Sequence, residues 1–318
     1  MTRHASFDAD RLQTVVDGIV DEIGQAEEWG ATSRQLPELE KVDTRQFGIA
    51  VVDCHGAEVT GGDADTRFSI QSISKVFSLW LALDAFGDEV WKRVGREPSG
   101  DPFNSIIDLE RMDGIPRNPF INAGALVVVD MLLDQRKGDG VPDDVRELLE
   151  TLIGDDDIGV DADVVRSSSS SGYINRALAN LAKSFGNFNN EVEDVMAAYV
   201  RQCAIALSAR QLARAGCRLM IESEGGGTSL EEARRARRIA AVMLTCGPYD
   251  GAGDFAFRVG LPAKSGIGGG ILAIVPNVAS VAVWSPGLDD KGNSLLGTLA
   301  LERLSEQMDW SVFGAVRR

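Results

Sequence analysis

The chain has 318 residues, 44% of them apolar, enough for a large core and for more than one lobe. Against 32 basic residues stand 48 acidic ones, a formal net charge of −16 that repels nucleic acid and anionic membranes and argues against both as partners. Four cysteines, at positions 54, 203, 217 and 246, form no Cys-x-x-Cys pair and no disulfide framework, which suits a reducing cytosol.

The N-terminal segment MTRHASFDAD lacks the apolar core of a signal peptide, and no apolar run approaches the length of a membrane span. A soluble, cytoplasmic protein is therefore expected. Leu12, Val15, Val16, Ile19, Val20 and Ile23 recur at helical spacing and predict an amphipathic helix over 10–28. FGIAVVDC at 47–54 reads as a strand, His55-Gly56 as a turn, and a second strand follows near Val59. Helical patterns then dominate, over 72–86, 120–135, 143–153, 173–185, 192–205, 208–222 and 230–245. The loops KGDGVPDD and SEGGGTS fall between them, and the five serines Ser167–Ser171 read as a loop or a helix entry. Strands return as DFAFRVGL (254–261), ILAIV (271–275) and VASVAVW (278–284), the last two forming a hairpin about Pro276-Asn277, before a final helix at 293–308. The fold class expected is α/β of the α+β type: one antiparallel sheet flanked by terminal helices, with an inserted helical lobe. The lobes would be 1–66 with 247–318, and 67–246, forming one catalytic unit with its site between them.

Only two histidines occur, His4 and His55, so a Ser-His-Asp triad or a histidine-rich metal site has almost no material. A hydrolytic site here needs lysine, tyrosine or a carboxylate as its base. Ser72 and Lys75 form Ser-x-x-Lys, a spacing that stacks both side chains on one helix face. Burial by Val76, Phe77, Leu79 and Trp80 would keep the lysine neutral often enough to take the hydroxyl proton. Placed in the first helical turn, Ser72 would also gain from backbone N–H groups. Alone, the motif is weak and reads more simply as a capping serine and a solvated lysine. Later in the chain, Lys264-Ser265-Gly266-Ile267 and three glycines precede a strand, a pattern that suits an oxyanion hole along a strand edge. It does not match a P-loop, because Ala263 precedes Lys264 and a strand follows. Ser-x-x-Lys early and Lys-Ser-Gly late is the order used by β-lactamases and penicillin-binding proteins.

The blocks IQSISKVFSLWLAL (70–83), PRNPFINAGAL (116–126), INRALA (174–179), YVRQCAI (199–205) and MLTCGPYDGAGDFAFRVGLPAKSGIGGGILA (243–273) resemble, in collinear order, the bacterial serine-dependent glutaminases. The resemblance runs from about residue 8 to 310 and implies a β-lactamase-like fold and hydrolysis of L-glutamine to L-glutamate and ammonia. It implies Ser72 as the nucleophile forming a γ-glutamyl ester, Lys75 as its base, and Tyr249 assisting proton transfer to the leaving ammonia. The N–H groups of Ser72 and Ile267 would hold the oxyanion. The family usually has valine where Ile267 stands, a change that a backbone donor tolerates. Asn122 and Asn175 would bind the substrate's carboxylate and amino ends, and Tyr199 would close the pocket. The plainer readings are a helix cap for Asn122, a loop residue for Asn175 and a core aromatic for Tyr199. Lys264 could orient Ser72, bind a carboxylate, or add positive charge that keeps Lys75 deprotonated. No metal ligand cluster or cofactor fingerprint is visible, and a homo-oligomer, dimer or tetramer, is implied.

One position departs from the family. Where similar chains carry a glutamate, seven residues before the asparagine of INRA, this chain has Ser168; Asp161 and Asp163 are the acids nearest in sequence that could substitute. Two rivals stand beside the glutaminase reading: another serine acyl-hydrolase on the same scaffold, and a non-catalytic member drifted toward binding.

Overall fold

The computed structural model describes residues 7–53, 55–99, 105–135, 143–155, 157–220 and 228–314. His4, Cys54 and most of the KGDGVPDD and SEGGGTS loops lie outside them. The helices in chain order are α1 (Ala9–Gly24), α2 (Pro37–Glu40), α3 (Ser74–Phe86), α4 (Val90–Arg93), α5 (Ile106–Arg111), α6 (Asn122–Gln135) and α7 (Asp144–Ile153). There follow α8 (Ala162–Ser171), α9 (Tyr173–Ser184), α10 (Val192–Cys203), α11 (Ala209–Gly216), α12 (Leu230–Cys246), α13 (Ala252–Arg258) and α14 (Leu295–Met308). The strands are β1 (Gly48–Asp53), β2 (Glu58–Gly62), β3 (Phe68–Ser69), β4 (Gly159–Val160), β5 (Ile205–Leu207), β6 (Ala263–Ser265), β7 (Gly270–Val275) and β8 (Ala279–Trp284).

The chain divides into two compact units, one of residues 1–68 with 207–318 and the other of 69–206. The first is built on a five-stranded sheet of order β2-β1-β8-β7-β6, with every pairing antiparallel. Its register and its two covered faces explain why β1, β7 and β8 are buried throughout. Ile49 faces Val283, which faces Ile271, and Val51 faces Val281, which faces Ala273. Side chains alternate along a strand, so these rows share one face. There they join Leu12, Val16, Ile19 and Ile23 of α1 and Leu296, Ala300, Leu301 and Leu304 of α14 in a single apolar core. The residues between them, Leu272 and Ser280, meet α11 on the other face. A Cβ on Gly216 of α11 would lie 2.1 Å from the Ser280 hydroxyl, so a glycine is what allows this approach. With helices on both faces, the central strands lose the alternating pattern and become continuously buried.

The predicted hairpin is present, with Asn277 in the left-handed region that its turn requires (φ +61°). The predicted strand at 254–261 is a helix, α13. Phe255 and Phe257 alternate as in a strand, but on the helix Phe255 is 4% exposed and Phe257 90%. The edge strand in this stretch is β6, a few residues later. The second change of unit falls at residue 207 rather than 247, because α11 packs on β1, β7 and β8 and α12 on β6 and α13.

The second unit is mainly helical. α3 and α6, apolar nearly all round, run through its interior against α7, α9 and α10. Asp130 of α6 is fully buried and accepts hydrogen bonds from Arg93, from the Asn189 and Asn190 backbone and from the Asn190 amide, fixing the 187–190 loop. The serine run ends α8, a helix that the sequence pattern did not reveal. Ser170 and Ser171 hydroxyls bond the Ser167 carbonyl at 2.9 and 2.7 Å, and Asp161 caps the other end.

The two phenylalanines of α13 give a direct test. Phe255→Ala should cost about 3–5 kcal/mol and Phe257→Ala less than about 0.5 kcal/mol in urea unfolding, whereas a strand with both on one face would give similar losses.

Candidate active site

In the helical unit the site begins with a strained turn. Ser72 lies in a single 3-10 turn, Gln71–Ile73, directly ahead of α3 rather than within its first turn. Gln71 has φ +48°, an unfavourable value for a side chain with a Cβ. Two contacts hold it there: the Ser74 hydroxyl donates to the Gln71 carbonyl at 2.8 Å, and the Gln71 amide donates to the Ser69 hydroxyl at 2.9 Å. The Gln202 amide in turn donates to Ser74 at 3.3 Å. Ser72 itself stays half-buried, and its backbone N–H enters no hydrogen bond among the described residues.

Lys75 is 1% exposed, which excludes the solvated reading. Its Nζ donates to the Phe120 carbonyl at 3.1 Å and to Asn122 Oδ1 at 2.7 Å, and lies 5.9 Å from the centre of the Tyr199 ring. Burial drives its pKa down from 10.5 to about 8, only partly opposed by the neighbouring Cys203 sulfur. Two acceptors match the two N–H bonds of a neutral amine and leave its lone pair free to take a proton.

Asn122 joins the predicted polar residues of this unit. Its Oδ1 accepts from Lys75 and, at 3.4 Å, from the Tyr199 hydroxyl, while its Nδ2 donates to Asn175 Oδ1 at 3.0 Å. With Lys75 and Tyr199 both donating to Oδ1, Asn122 turns its Nδ2 toward Asn175. Asn122 is the first residue of α6, and the turn ahead of that helix is organised by Asn118, which sequence reading missed. Asn118 Oδ1 accepts from the N–H groups of Phe120 and Ile121 at the entry to α6, and its Nδ2 reaches the Glu97 carbonyl. The glycine of INAGA completes the device: a Cβ on Gly124 would lie 1.9 Å from the Asn118 carbonyl. An Asn-x-x-x-Asn spacing followed by glycine was the available signal.

The two acids near Ser168 in sequence both have local partners. Asp161 caps α8 by accepting from Asp163 and Val164 N–H, and Asp163 pairs with Arg166 at the surface. Ser168 sits half-buried in α8. In the next helix, Arg176 forks onto Glu193 at 2.7 and 2.9 Å and also donates to the Ser169 carbonyl.

In the sheet unit, Tyr249 opens a 3-10 turn, buried and at φ +48°, an outlier for an aromatic residue. Ile267 lies in the tight loop between β6 and β7. Gly266 N–H bonds the Gly270 carbonyl, Gly269 N–H the Gly266 carbonyl, and the Trp284 indole donates to the Gly268 carbonyl at 3.0 Å. The Ile267 N–H enters no hydrogen bond among the described residues, as an oxyanion donor requires. Cys203 and Cys246 are buried as expected, while Cys217 is half-buried with its sulfur toward the Asp53 and Ala213 carbonyls. A separate cavity between α6, α7 and α10, lined by Val129, Leu132, Asp143, Arg201 and Gln202 among others, contains none of the predicted residues. Among the described residues no cluster of His, Cys, Asp or Glu could hold a metal ion, and no helix is long and apolar enough to cross a membrane.

An antiparallel five-stranded sheet carrying the first and last helices, with a helical insertion that opens on Ser-x-x-Lys, defines the β-lactamase-like class of hydrolase folds. A glutaminase family model matches residues 30–313, and the chain belongs to that family. A glutaminase of Methylobacterium radiotolerans is 54% identical over 306 residues, covering 96% of this chain and 99% of the relative. The solved structure of the probable glutaminase ybaS matches with a TM-score of 0.88 at 34% identity, over 96% of this chain and 99% of that one. Mglu, solved in its L-glutamate binding form in 4.3 M NaCl, matches with a TM-score of 0.85 at 34% identity, over 96% of this chain and 68% of its own.

Gly124→Ala should destabilise by roughly 1–3 kcal/mol and disturb Asn122, while Gly253→Ala, in α13 with open space around it, should be neutral or stabilise by up to about 1 kcal/mol. Urea midpoints of the two variants against the parent chain check both.

Proposed function

We propose that this protein hydrolyses the side-chain amide of L-glutamine to L-glutamate and ammonia through a covalent γ-glutamyl ester on Ser72. The observation that carries the reading is Lys75: a buried amine with a pKa near 8, three residues after Ser72, hydrogen-bonded to Asn122 in a chain of the glutaminase family. In the first step Ser72 Oγ bonds to the amide carbon while its proton passes to the Lys75 lone pair. The N–H groups of Ser72 and Ile267 stabilise the oxyanion. The carbon–nitrogen bond then breaks, with Tyr249 relaying a proton to the nitrogen so that it leaves as ammonia. Water attacks the ester, its proton returns by the same groups, and Ser72 is released with glutamate. Asn122 and Asn175 hold the carboxylate and amino ends of the substrate, and Tyr199, which already donates to Asn122, closes the pocket. A homo-oligomer, dimer or tetramer, in the cytoplasm belongs to the same reading.

Glutamate formation measured by a coupled enzyme should be abolished in Ser72→Ala; a fully active Ser72→Ala protein sinks the acyl-enzyme. Because only neutral Lys75 accepts the serine proton, kcat/KM should rise with pH through a limb centred near 8 and level off above it. A flat profile from pH 6.5 to 9.5 contradicts the role of Lys75. Finally, with Asp161 and Asp163 engaged elsewhere, Ser168→Glu should restore a charge-assisted contact of about 1.5–3 kcal/mol and lower KM about tenfold or more. An unchanged or higher KM removes that account of Ser168.

A further inference from the structure

Lys264 is the largest fully buried polar side chain of the sheet unit among the described residues, and the reaction above supplies no task for it. It is 0% exposed, on edge strand β6, where it pairs with Leu272 and so lies on the sheet face opposite the α1 and α14 core. An amine so deeply buried persists only where polar groups are arranged for it. Its Nζ donates to the Gly247 carbonyl at 2.8 Å and to the Ser265 carbonyl at 2.7 Å, and it stands 4.2 Å from the centre of the Tyr249 ring. The Ser265 bond ties it to its own strand. The Gly247 and Tyr249 contacts lead to one place, the turn that carries Tyr249.

That turn needs holding. Tyr249 is at φ +48°, a conformation persisting only where its surroundings over-determine it. Gly247, two residues earlier, runs so close to β6 that a Cβ there would lie 1.6 Å from the Ala263 carbonyl. The Asn293 amide donates to the Pro248 carbonyl at 3.3 Å from the other side. Lys264 thus fastens the turn before the tyrosine and lies against the face of its ring, an arrangement in which a cation is attracted to the ring.

We propose that Lys264 is a positioning residue that acts through Tyr249, clamping the turn and the phenol ring so that the hydroxyl is presented for proton transfer. This assigns it a task different from orienting Ser72, binding a carboxylate or neutralising Lys75, and it rests on the reading that Tyr249 takes part in that transfer. A residue acting through another has little effect once the other is gone.

The test is steady-state glutaminase kinetics on Lys264→Met, Lys264→Arg, Tyr249→Phe and the Lys264→Met/Tyr249→Phe double variant, each with a thermal melt. Lys264→Met should lower kcat about tenfold or more with KM changed less than about threefold, and Lys264→Arg, which keeps a cation, should recover most of the loss. In the Tyr249→Phe background the methionine should cost less than about threefold further. An equal loss in both backgrounds overturns the proposal, as does an unimpaired Lys264→Met enzyme. If Tyr249→Phe alone has the parent kcat, the role of Tyr249 fails, and this inference with it; an impaired Tyr249→Phe beside additive losses separates failure of the inference alone. Should Lys264→Met not fold, Lys264→Gln in the two backgrounds carries the same decision.

Discussion

Most of the helical unit is arranged around one constraint, the burial of the Lys75 amine. An ammonium taken out of water is costly, and the structure meets that cost by moving the group toward its neutral form and giving it two acceptors. One acceptor is the backbone of Phe120, at the entry to α6; the other is the side chain of Asn122, the first residue of that helix. Both positions depend on Asn118, whose side chain bonds the N–H groups at that entry, and on Gly124, whose missing Cβ lets the Asn118 carbonyl approach. The apolar surfaces of α3 and α6 supply the dry surroundings that lower the pKa. The same hydrophobic packing that stabilises the unit therefore sets the chemistry of its lysine.

Strained backbone recurs beside the reactive groups. Of the five described non-glycine residues at positive φ, Asn277 serves a hairpin, Asp113 follows α5 and Asp309 ends α14, but Gln71 adjoins the proposed nucleophile and Tyr249 is itself a proposed participant. Each strained turn is held by side chains: Ser74, itself bonded by Gln202, for the first, and Lys264 and Asn293 for the second. Strain that is locked in this way presents a side chain in one orientation, at the expense of stability elsewhere.

The places where sequence and structure part company have physical causes. Asp254-Phe-Ala-Phe-Arg258 alternates like a strand, yet α13 forms because only Phe255 is wanted inside, and periodicity over five residues does not separate the two cases. The serine run became the end of α8 through hydroxyl bonds to its own backbone and the Asp161 cap, features that propensity scales count against a helix. The boundary at 207 instead of 247 reflects α11, a helix that looks like its predecessors in sequence but covers the second face of the sheet.

By itself the sequence determined the class of fold, through apolar periodicity at both ends of the chain, and the candidate chemistry, through Ser72 and Lys75 in a chain almost without histidine. It also named Asn122, Asn175 and Tyr199 by resemblance. Only the tertiary structure decided that Lys75 is buried, that those three residues form one hydrogen-bond network with it, and that Asp161 caps α8 while Asp163 pairs with Arg166. It alone directed Lys264 toward Tyr249. The reason is that periodicity and motif spacing are local, written within a few turns of chain, whereas burial, hydrogen-bond partnership and pKa depend on groups brought together from 45 or more residues away, as the Lys75 bond to Phe120 is.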